Sequence, residues 1–240
     1  MTLACVLAVI LAAGFVQGLI GFGSAMVAMA LLPTWIGLHV AAPLVAIIAL
    51  PAETLVFLRY RDAWSWRSVA RLVLGMLLGV PVGLKALQHL APGLLLAVLG
   101  GVIAGYAAYG LLGWRLPELR NGRWAYLAGW LGGLLGGAYN TSGPPVVIYG
   151  DCRRWERAEF KGNLQAFFFC CDLSVTTGHA LSGNLTAEVG WYFLWALPVV
   201  ALGSTLGASL DRFIPAARFR AVVLVGLLGL GLRLLWCACS

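Results

Sequence analysis

Residues 132–150 read GGLLGGAYNTSGPPVVIYG, and this stretch decides how the rest of the chain is interpreted. The Asn-Thr-Ser sequence at 140–142 and the consecutive prolines Pro144 and Pro145 interrupt a run that is otherwise apolar enough to cross a membrane. Proline has no amide hydrogen and strains a helix, so backbone groups near it lose their helical partners. At membrane depth such backbone is tolerated only where protein or a water-filled cavity satisfies it. The stretch therefore predicts a broken helix beside a cavity.

The composition places the whole chain in a membrane. Of its 240 residues, 61% are hydrophobic and 10% are charged, and the mean hydropathy is +0.91, whereas soluble domains carry about 25% charged residues. Spanning helices need about 20 apolar residues. Eight runs approach or exceed that length: 2–32, 38–58, 68–90, 93–114, 124–150, 160–182, 187–210 and 217–238. The sequence predicts an all-α integral membrane protein whose binding site lies inside the helix bundle.

The charged residues and cysteines do not indicate another class of protein. The net charge of +7 comes mainly from basic residues in short loops, where they orient membrane helices rather than bind nucleic acid. Most of the six cysteines lie in apolar runs without a Cys-x-x-Cys pair, where a thiol behaves as a small hydrophobe. The sequence has no Walker loop, no His-Glu-x-x-His motif and no cluster with metal-ligand spacing. It predicts no enzyme activity, no catalytic residue, no metal and no cofactor.

The two halves of the chain resemble each other. AGFVQGLIGFGSA at 13–25 aligns with AGWLGGLLGGAYN at 128–140, and LGVPVGLKAL at 78–87 resembles ALGSTLGASL at 201–210. Each glycine match alone is also typical of close helix packing. Because the matches follow the same order, they predict duplication of a four-segment unit. The predicted parts are a first transmembrane repeat at 1–114, a cytoplasmic linker at 115–123 and a second transmembrane repeat at 124–240.

The distribution of Lys and Arg favours an inverted relation between these repeats. If run 124–150 turns back at its break, only Lys85 and Arg233 of the 16 Lys and Arg lie outside, and the other 14 are cytoplasmic. If the first half repeats the second, run 2–32 enters the membrane from the outer face and turns back around GLIGFGS at 18–24. Each half then has one re-entrant hairpin and three spans, as in many secondary transporters. A plain arrangement of eight full spans remains open, because the first run carries no charge that tests it.

The two helix breaks together predict a pocket for an anion. A helix that begins at membrane depth directs unpaired amides and the positive end of its dipole into the cavity. Glycines let a ligand approach the backbone, and polar side chains add donors. The alternative is that the glycines only permit tight packing and the prolines only kink the helix. The predicted substrate-binding residues are Gln17, Gly21, Gly23, Ser24, Gly136, Gly137, Asn140, Thr141, Ser142, Gly143, Pro144, Asn163 and Gln165.

Two acidic residues lie at comparable depths in the second and sixth runs, Glu53 and Asp172. An ionisable residue at the centre of a membrane helix costs on the order of 2.5–3.5 kcal/mol, so its presence indicates a function. Burial favours the protonated form of a carboxyl group. Glu53 and Asp172 are therefore predicted to carry a proton that couples to anion movement, the alternative being a polar clamp between helices.

The chain resembles the TauE/SafE family of bacterial membrane proteins, described as sulfite and organosulfonate exporters. The resemblance covers essentially the whole chain, and its signature includes Gly21, Gly23, Gly136, Gly137, Gly143 and Pro144. Phe22 interrupts the first glycine cluster, AYN replaces further glycines in the second, and Lys161 stands where an arginine is expected. The motifs that carry the resemblance are GLIGFGSAMVAMALLP, GGLLGGAYNTSGPPVVIYG, FKGNLQAFFFCCDLSVTTGHALSGNLT and LGASLDRFIPAARFRAVVLVGLLGLGLRLL.

The resemblance implies a multi-pass transporter of the cell inner membrane that exports a small sulfur-containing anion, sulfite or an organosulfonate. Protons are the expected coupling ion, the lipid bilayer is the expected surrounding, and the oligomeric state is left open. A second hypothesis is a passive channel for the same anion, because a channel and a transporter would show the same features at the helix ends. A third hypothesis is a membrane subunit that anchors a soluble partner through its basic loops, in which Arg153 and Arg154 matter more than Asn140.

Overall fold

The computed structural model describes residues 2–114, 116–210 and 216–239, and the secondary structure within these residues is helical. The prediction of an all-α protein is confirmed. Five of the described helices, α1, α4, α5, α6 and α10, are long and apolar enough to cross a membrane. The helices are α1 (Thr2–Ile20), α2 (Ser24–Leu31), α3 (Pro33–Ile36), α4 (Leu38–Tyr60), α5 (Trp66–His89), α6 (Pro92–Leu112), α7 (Trp124–Tyr139), α8 (Gly143–Cys152), α9 (Arg157–Leu181), α10 (Ala187–Leu210) and α11 (Ala216–Cys239).

The eight predicted runs correspond to these helices in order. Six runs each form one helix, whereas run 2–32 forms α1 and α2 and run 124–150 forms α7 and α8. The short helix α3 lies between the first and second runs. Residues 1, 115 and 240, which mark predicted domain boundaries, lie outside the described residues. Arg115 and Arg212, two of the basic residues assigned to the cytoplasmic side, also lie outside them.

Both helix breaks contain residues with left-handed backbone. Gly21 and Gly23 have φ of 90° and 96°, and Asn140 has φ of 52°. Glycine adopts positive φ at little cost, and asparagine tolerates the left-handed region better than most residues. The amide of Asn140 donates to the carbonyl oxygen of Gly136 at 2.7 Å and closes the end of α7. The chain therefore changes direction where the sequence offers residues that accept this conformation.

The bundle is built from four helix pairs: α1 with α10, α5 with α7, α4 with α9 and α6 with α11. In the α5–α7 pair the helices run parallel, since Gly75 approaches Tyr126 and Gly83 approaches Leu134. The α1–α10 pair is also parallel, since Gly14 approaches Val200 and Gly18 approaches Ser204. The α4–α9 and α6–α11 pairs are antiparallel. In the latter, Gly100 approaches Gly231 and Gly110 approaches Leu224.

Glycines allow the parallel pairs to approach through their backbones. A Cβ atom on Gly79 of α5 would overlap the carbonyl oxygen of Trp130 on α7, and one on Gly18 of α1 would overlap the carbonyl oxygen of Ser204 on α10. In a lipid environment such close packing is a main source of helix association. The glycines that make these contacts are Gly75, Gly79, Gly83, Gly129, Gly133 and Gly137 between α5 and α7, and Gly14, Gly18, Gly203 and Gly207 between α1 and α10.

Replacing Gly79 with alanine is expected to destabilise the protein by about 1–3 kcal/mol, because the added methyl group must displace the α7 backbone. The matched control is Gly101→Ala on α6, where an added Cβ meets no atom within 4 Å. Thermal unfolding of the purified variants in detergent measures the difference. The expected result is a lower Tm for Gly79→Ala and an unchanged Tm for Gly101→Ala. Equal melting temperatures would contradict the proposed backbone contact.

Candidate functional site

A small polar cavity lies where the two helix breaks meet. Its volume is about 20 Å³, which is enough for about one water molecule. Six of its polar side chains are at most 4% exposed: Gln17, Glu53, Asn140, Thr141, Ser142 and Asp172. The complete lining is Gln17, Gly23, Ser24, Ala25, Met26, Glu53, Asn140, Thr141, Ser142, Gly143, Phe168 and Asp172. The structure thus brings together residues of both breaks and both predicted acids.

The first break is held by a chain of side-chain hydrogen bonds. The Ser24 hydroxyl donates to Oε1 of Gln17 at 2.9 Å, and Nε2 of Gln17 donates to Oε1 of Gln165 at 3.1 Å. Nε2 of Gln165 in turn donates to the carbonyl oxygen of Gly21. This chain, called the glutamine bridge below, links α1, α2 and α9. It satisfies a backbone carbonyl that the break removes from helical bonding.

The start of α2 supplies backbone donors to the cavity. Ser24, Ala25 and Met26 form the first turn of α2, and all three line the cavity. The first-turn amides of a helix have no intrahelical partner, and they carry the positive end of the helix dipole. The first turn of α2 thus gives this half of the cavity a positive potential that comes mainly from backbone groups.

The second break contributes differently. Nδ2 of Asn140 donates to the carbonyl oxygen of Ala42 on α4 at 2.6 Å, while its Oδ1 is buried without a partner in the described part of the chain. Pro144 and Pro145 follow Gly143 in the first turn of α8 and have no amide hydrogen. The start of α8 thus offers fewer backbone amides than the start of α2.

The two acids form a pair beside the breaks. Glu53 on α4 and Asp172 on α9 both line the polar cavity. Two adjacent carboxylates repel each other, so a charge on one acid favours a proton on the other. Oε2 of Glu53 and Oδ1 of Asp172 have no hydrogen-bond partner among the described residues. The pair thus has the chemistry to hold one proton next to the cavity.

Several predicted residues lie outside the cavity lining. Gly137 packs against the backbone of α5, and a Cβ on Gly136 would lie 2.6 Å from Sγ of Cys171. Pro144 lines a separate apolar cavity beside α6 and α7. These three positions shape the hairpin of α7 and α8 rather than face the polar cavity.

Other predicted residues form hydrogen bonds that order the backbone around the cavity. Oδ1 of Asn163 accepts a hydrogen bond from the Ser65 amide at 2.7 Å, so it orders the connection between α4 and α5. Gly21 and Gln165 belong to the glutamine bridge. The Thr141 hydroxyl donates to the carbonyl oxygen of Tyr139 at 3.0 Å and thereby caps α7, although Thr141 also lines the cavity.

Lys161 was not among the predicted site residues, and Ala25, Met26 and Phe168 were not predicted to line a cavity. Apolar residues carry no signal that distinguishes a cavity wall from lipid-facing or core packing. Lys161 did carry a signal, since it is a cation in a membrane run. It is 5% exposed, and its Nζ donates to the carbonyl oxygen of Leu19 at 3.3 Å.

Comparisons with known proteins agree with this architecture. The family described as Sulfite exporter TauE/SafE matches residues 6–234, nearly the entire chain. The protein named "Probable sulfite/organosulfonate exporter TauE" from Cupriavidus necator is 30% identical over 240 residues, covering 94% of this chain and 91% of the relative. The "Probable inner membrane transporter protein TsaS" from Comamonas testosteroni is 29% identical over 202 residues, covering 80% of this chain and 81% of the relative. No solved structure gives a significant match.

The match and the structure lead to the same conclusion. Several described helices are long and apolar enough to cross a bilayer, and the two relatives are named as an exporter and an inner-membrane transporter. The chain is a multi-pass protein of the inner membrane. Because the family match extends over both helix breaks and all eight predicted runs, this chain belongs to the TauE/SafE sulfite exporter family of membrane transporters.

Proposed function

We propose that this protein exports sulfite or an organosulfonate as a proton-coupled secondary transporter, and that the polar cavity binds the anion. The observation that carries the proposal is the meeting of two helix starts in one buried cavity. Ser24 begins α2 there and Gly143 begins α8. The name of the Cupriavidus necator relative supports the substrate class.

We infer that the two halves are inverted repeats, with α1–α2 and α7–α8 as re-entrant hairpins. The amide of Leu119, before α7, donates to the carbonyl oxygen of Cys152, the last residue of α8, at 3.0 Å. This contact supports a hairpin whose two ends lie on the same side of the membrane. Ala28 of α2 lines a cavity with Ile10 and Ala13 of α1, as expected if α2 returns along α1. The antiparallel α4–α9 and α6–α11 pairs also fit a two-fold axis in the membrane plane.

The donors around the cavity suit a group with several oxygen atoms on sulfur. Sulfite and sulfonates present three such oxygens, each able to accept hydrogen bonds. The first-turn amides of α2, the Ser142 hydroxyl and the Nδ2 hydrogen of Asn140 that is not bonded to Ala42 supply donors from both breaks. The Ser24 hydroxyl becomes a further donor when it leaves Gln17. Because Met26 and Phe168 add apolar walls that exclude water, each of these contacts is stronger than it is in bulk solvent.

The acid pair couples anion binding to protons in this proposal. A carboxylate at Glu53 or Asp172 repels an anion in the adjoining cavity. Binding of the anion therefore favours a neutral pair, so the anion and the proton move in the same direction. Net export by this route requires an outward anion gradient that exceeds the inward proton gradient. The same electrostatic repulsion limits passage of the anion when the pair is charged.

The small volume of the cavity favours a carrier over a channel. At about 20 Å³ the cavity cannot hold the four heavy atoms of sulfite without widening. A carrier that alternates between two open states passes through such a closed form. Saturable uptake with counterflow is the expected behaviour, and flux that neither saturates nor shows counterflow would support the passive channel instead.

Removing donors from the cavity is expected to weaken transport. Ser24→Ala and Asn140→Gly should each reduce labelled sulfite uptake into proteoliposomes about tenfold, the effect of losing one buried hydrogen-bonding group. Glycine at position 140 keeps the left-handed backbone while removing the side-chain amide. Ser174→Ala is the matched control, since its hydroxyl donates to the carbonyl oxygen of Cys170 and does not line the cavity.

Folding of each variant is checked by its elution profile and its Tm in detergent. Wild-type uptake in both cavity variants would exclude the polar cavity as the substrate site. If the chain instead only anchors a soluble partner, uptake by wild type should not exceed that of empty liposomes.

Neutralising the acid pair is expected to uncouple transport from protons. Methanesulfonate is a suitable substrate because it keeps one negative charge across the physiological pH range. In Glu53→Gln and Asp172→Asn, counterflow should persist while accumulation driven by a pH gradient at clamped voltage is lost. Glu118→Gln on the exposed linker is the control. A gradient response equal to that of wild type in both variants would contradict the proposed role of the pair.

A further inference from the structure

We propose that Lys161 forms a second anion-binding site, which receives the substrate before it reaches the polar cavity. This inference rests on the proposed transport function. The site lies in a larger cavity of about 570 Å³, called the vestibule below. The vestibule is bordered by the last turns of α1, α6 and α8, by the beginning of α9, and by Ala221 and Leu224 of α11. Phe22, Asp151 and Lys161 are among the residues that line it.

Lys161 is a buried cation on the wall of this vestibule. Only 5% of the residue is exposed. Its Nζ donates to the carbonyl oxygen of Leu19 at 3.3 Å and to the Tyr60 hydroxyl at 3.4 Å, and it lies 5.2 Å from the centre of the Tyr60 ring. An ammonium group has three donors on a flexible stem, so it can turn toward an arriving anion. A cation removed from water also attracts an anion more strongly than an exposed one does.

Asp151 lowers the affinity of the vestibule for anions. It lines the same cavity as Lys161, so an anion that enters must compete with this carboxylate for the ammonium group. Competition of this kind keeps binding weak and reversible. A weak first site suits a transporter, because the substrate must leave it again in order to move inward.

One face of α9 leads from the vestibule to the polar cavity. Lys161, Gln165, Phe168 and Asp172 are spaced by four, three and four residues and therefore lie on one side of the helix. Lys161 lines the vestibule, whereas Phe168 and Asp172 line the polar cavity. Eleven residues of helix span about 16 Å, which is the length of this path.

The break between α1 and α2 separates the two cavities. Phe22 lines the vestibule and packs edge-on against Tyr106 with ring centres 6.1 Å apart, while the next residue, Gly23, lines the polar cavity. Behind this wall, Gln165 of the glutamine bridge bonds to the Gly21 carbonyl. A Cβ on Gly21 would lie 3.2 Å from Cγ of Lys161, so the lysine stem rests directly on the break. An anion held by Lys161 is therefore positioned at the barrier that it must cross.

The vestibule lies toward one side of the protein, so substrate binding measured from each side of the membrane tests its role. Tyr60 and the first turn of α9 adjoin loops that contain Arg61 and Arg154, the side predicted to be cytoplasmic. Loss of the Lys161 charge should therefore impair binding of substrate from the cytoplasm and leave binding from the outside nearly unchanged. A general folding defect would impair both directions.

The experiment measures methanesulfonate and sulfite transport in inside-out and right-side-out membrane vesicles. Lys161→Gln is expected to raise KM at the cytoplasmic face about tenfold or more, with KM at the outer face and the maximal rate nearly unchanged. Lys161→Arg should restore a KM near that of wild type, because it keeps the positive charge. Lys85→Gln is the matched control, since it makes the same change at an exposed lysine of α5.

Equilibrium binding to the purified protein separates this inference from the proposed function. Asn140→Gly should retain weak methanesulfonate binding at the vestibule, and the double variant Asn140→Gly with Lys161→Gln should lose it. A cytoplasmic KM unchanged by Lys161→Gln, equal loss at both faces, or equal binding by the single and double variants would each overturn the vestibule site and leave the proposed function standing. Absence of both transport and binding in wild type would overturn the proposed function and, with it, this inference.

Discussion

Backbone polar groups inside a bilayer must find partners, and the arrangement of this protein follows from that constraint. The two helix breaks interrupt helical hydrogen bonding, and each break is satisfied by the opposite half of the chain. Gln165 of the second half bonds to the Gly21 carbonyl of the first break, and Asn140 of the second break bonds to the Ala42 carbonyl of the first half. Because each half completes the other, the two breaks are held together around one cavity.

Glycine contacts keep these breaks in position. Gly18 brings α1 against α10 and Gly79 brings α5 against α7, so the long helix that precedes each break packs backbone to backbone on a neighbour. In lipid there is little hydrophobic gain from joining two apolar helices, and close packing of small residues takes its place. The glycine repeat detected in the sequence therefore has two roles. Some of these glycines, such as Gly21, adopt the left-handed backbone of a break. Others, such as Gly137, allow the helix before a break to pack closely on its neighbour.

Several charged and polar residues near the two cavities lie on one helix, α9. Lys161, Gln165 and Asp172 share a face that runs from the vestibule to the acid pair. Along the path that we propose for the anion, Lys161 comes first and the acid pair comes last. The order of charges is consistent with a carrier that admits its substrate from the arginine-rich side and links its release to a proton.

The sequence by itself determined the helical class, the approximate bounds of the eight runs, the two break positions and the residues Gln17, Ser24, Asn140, Glu53 and Asp172. These features depend on local chemistry: apolar length, left-handed backbone at glycine and asparagine, and the high cost of an acid in lipid. Only the tertiary structure decided that Gly137 and Pro144 turn away from the cavity, that Met26 and Phe168 line it, and that Lys161 lines a vestibule. Those assignments depend on which helices pack together, and residue spacing along one helix does not specify its neighbours.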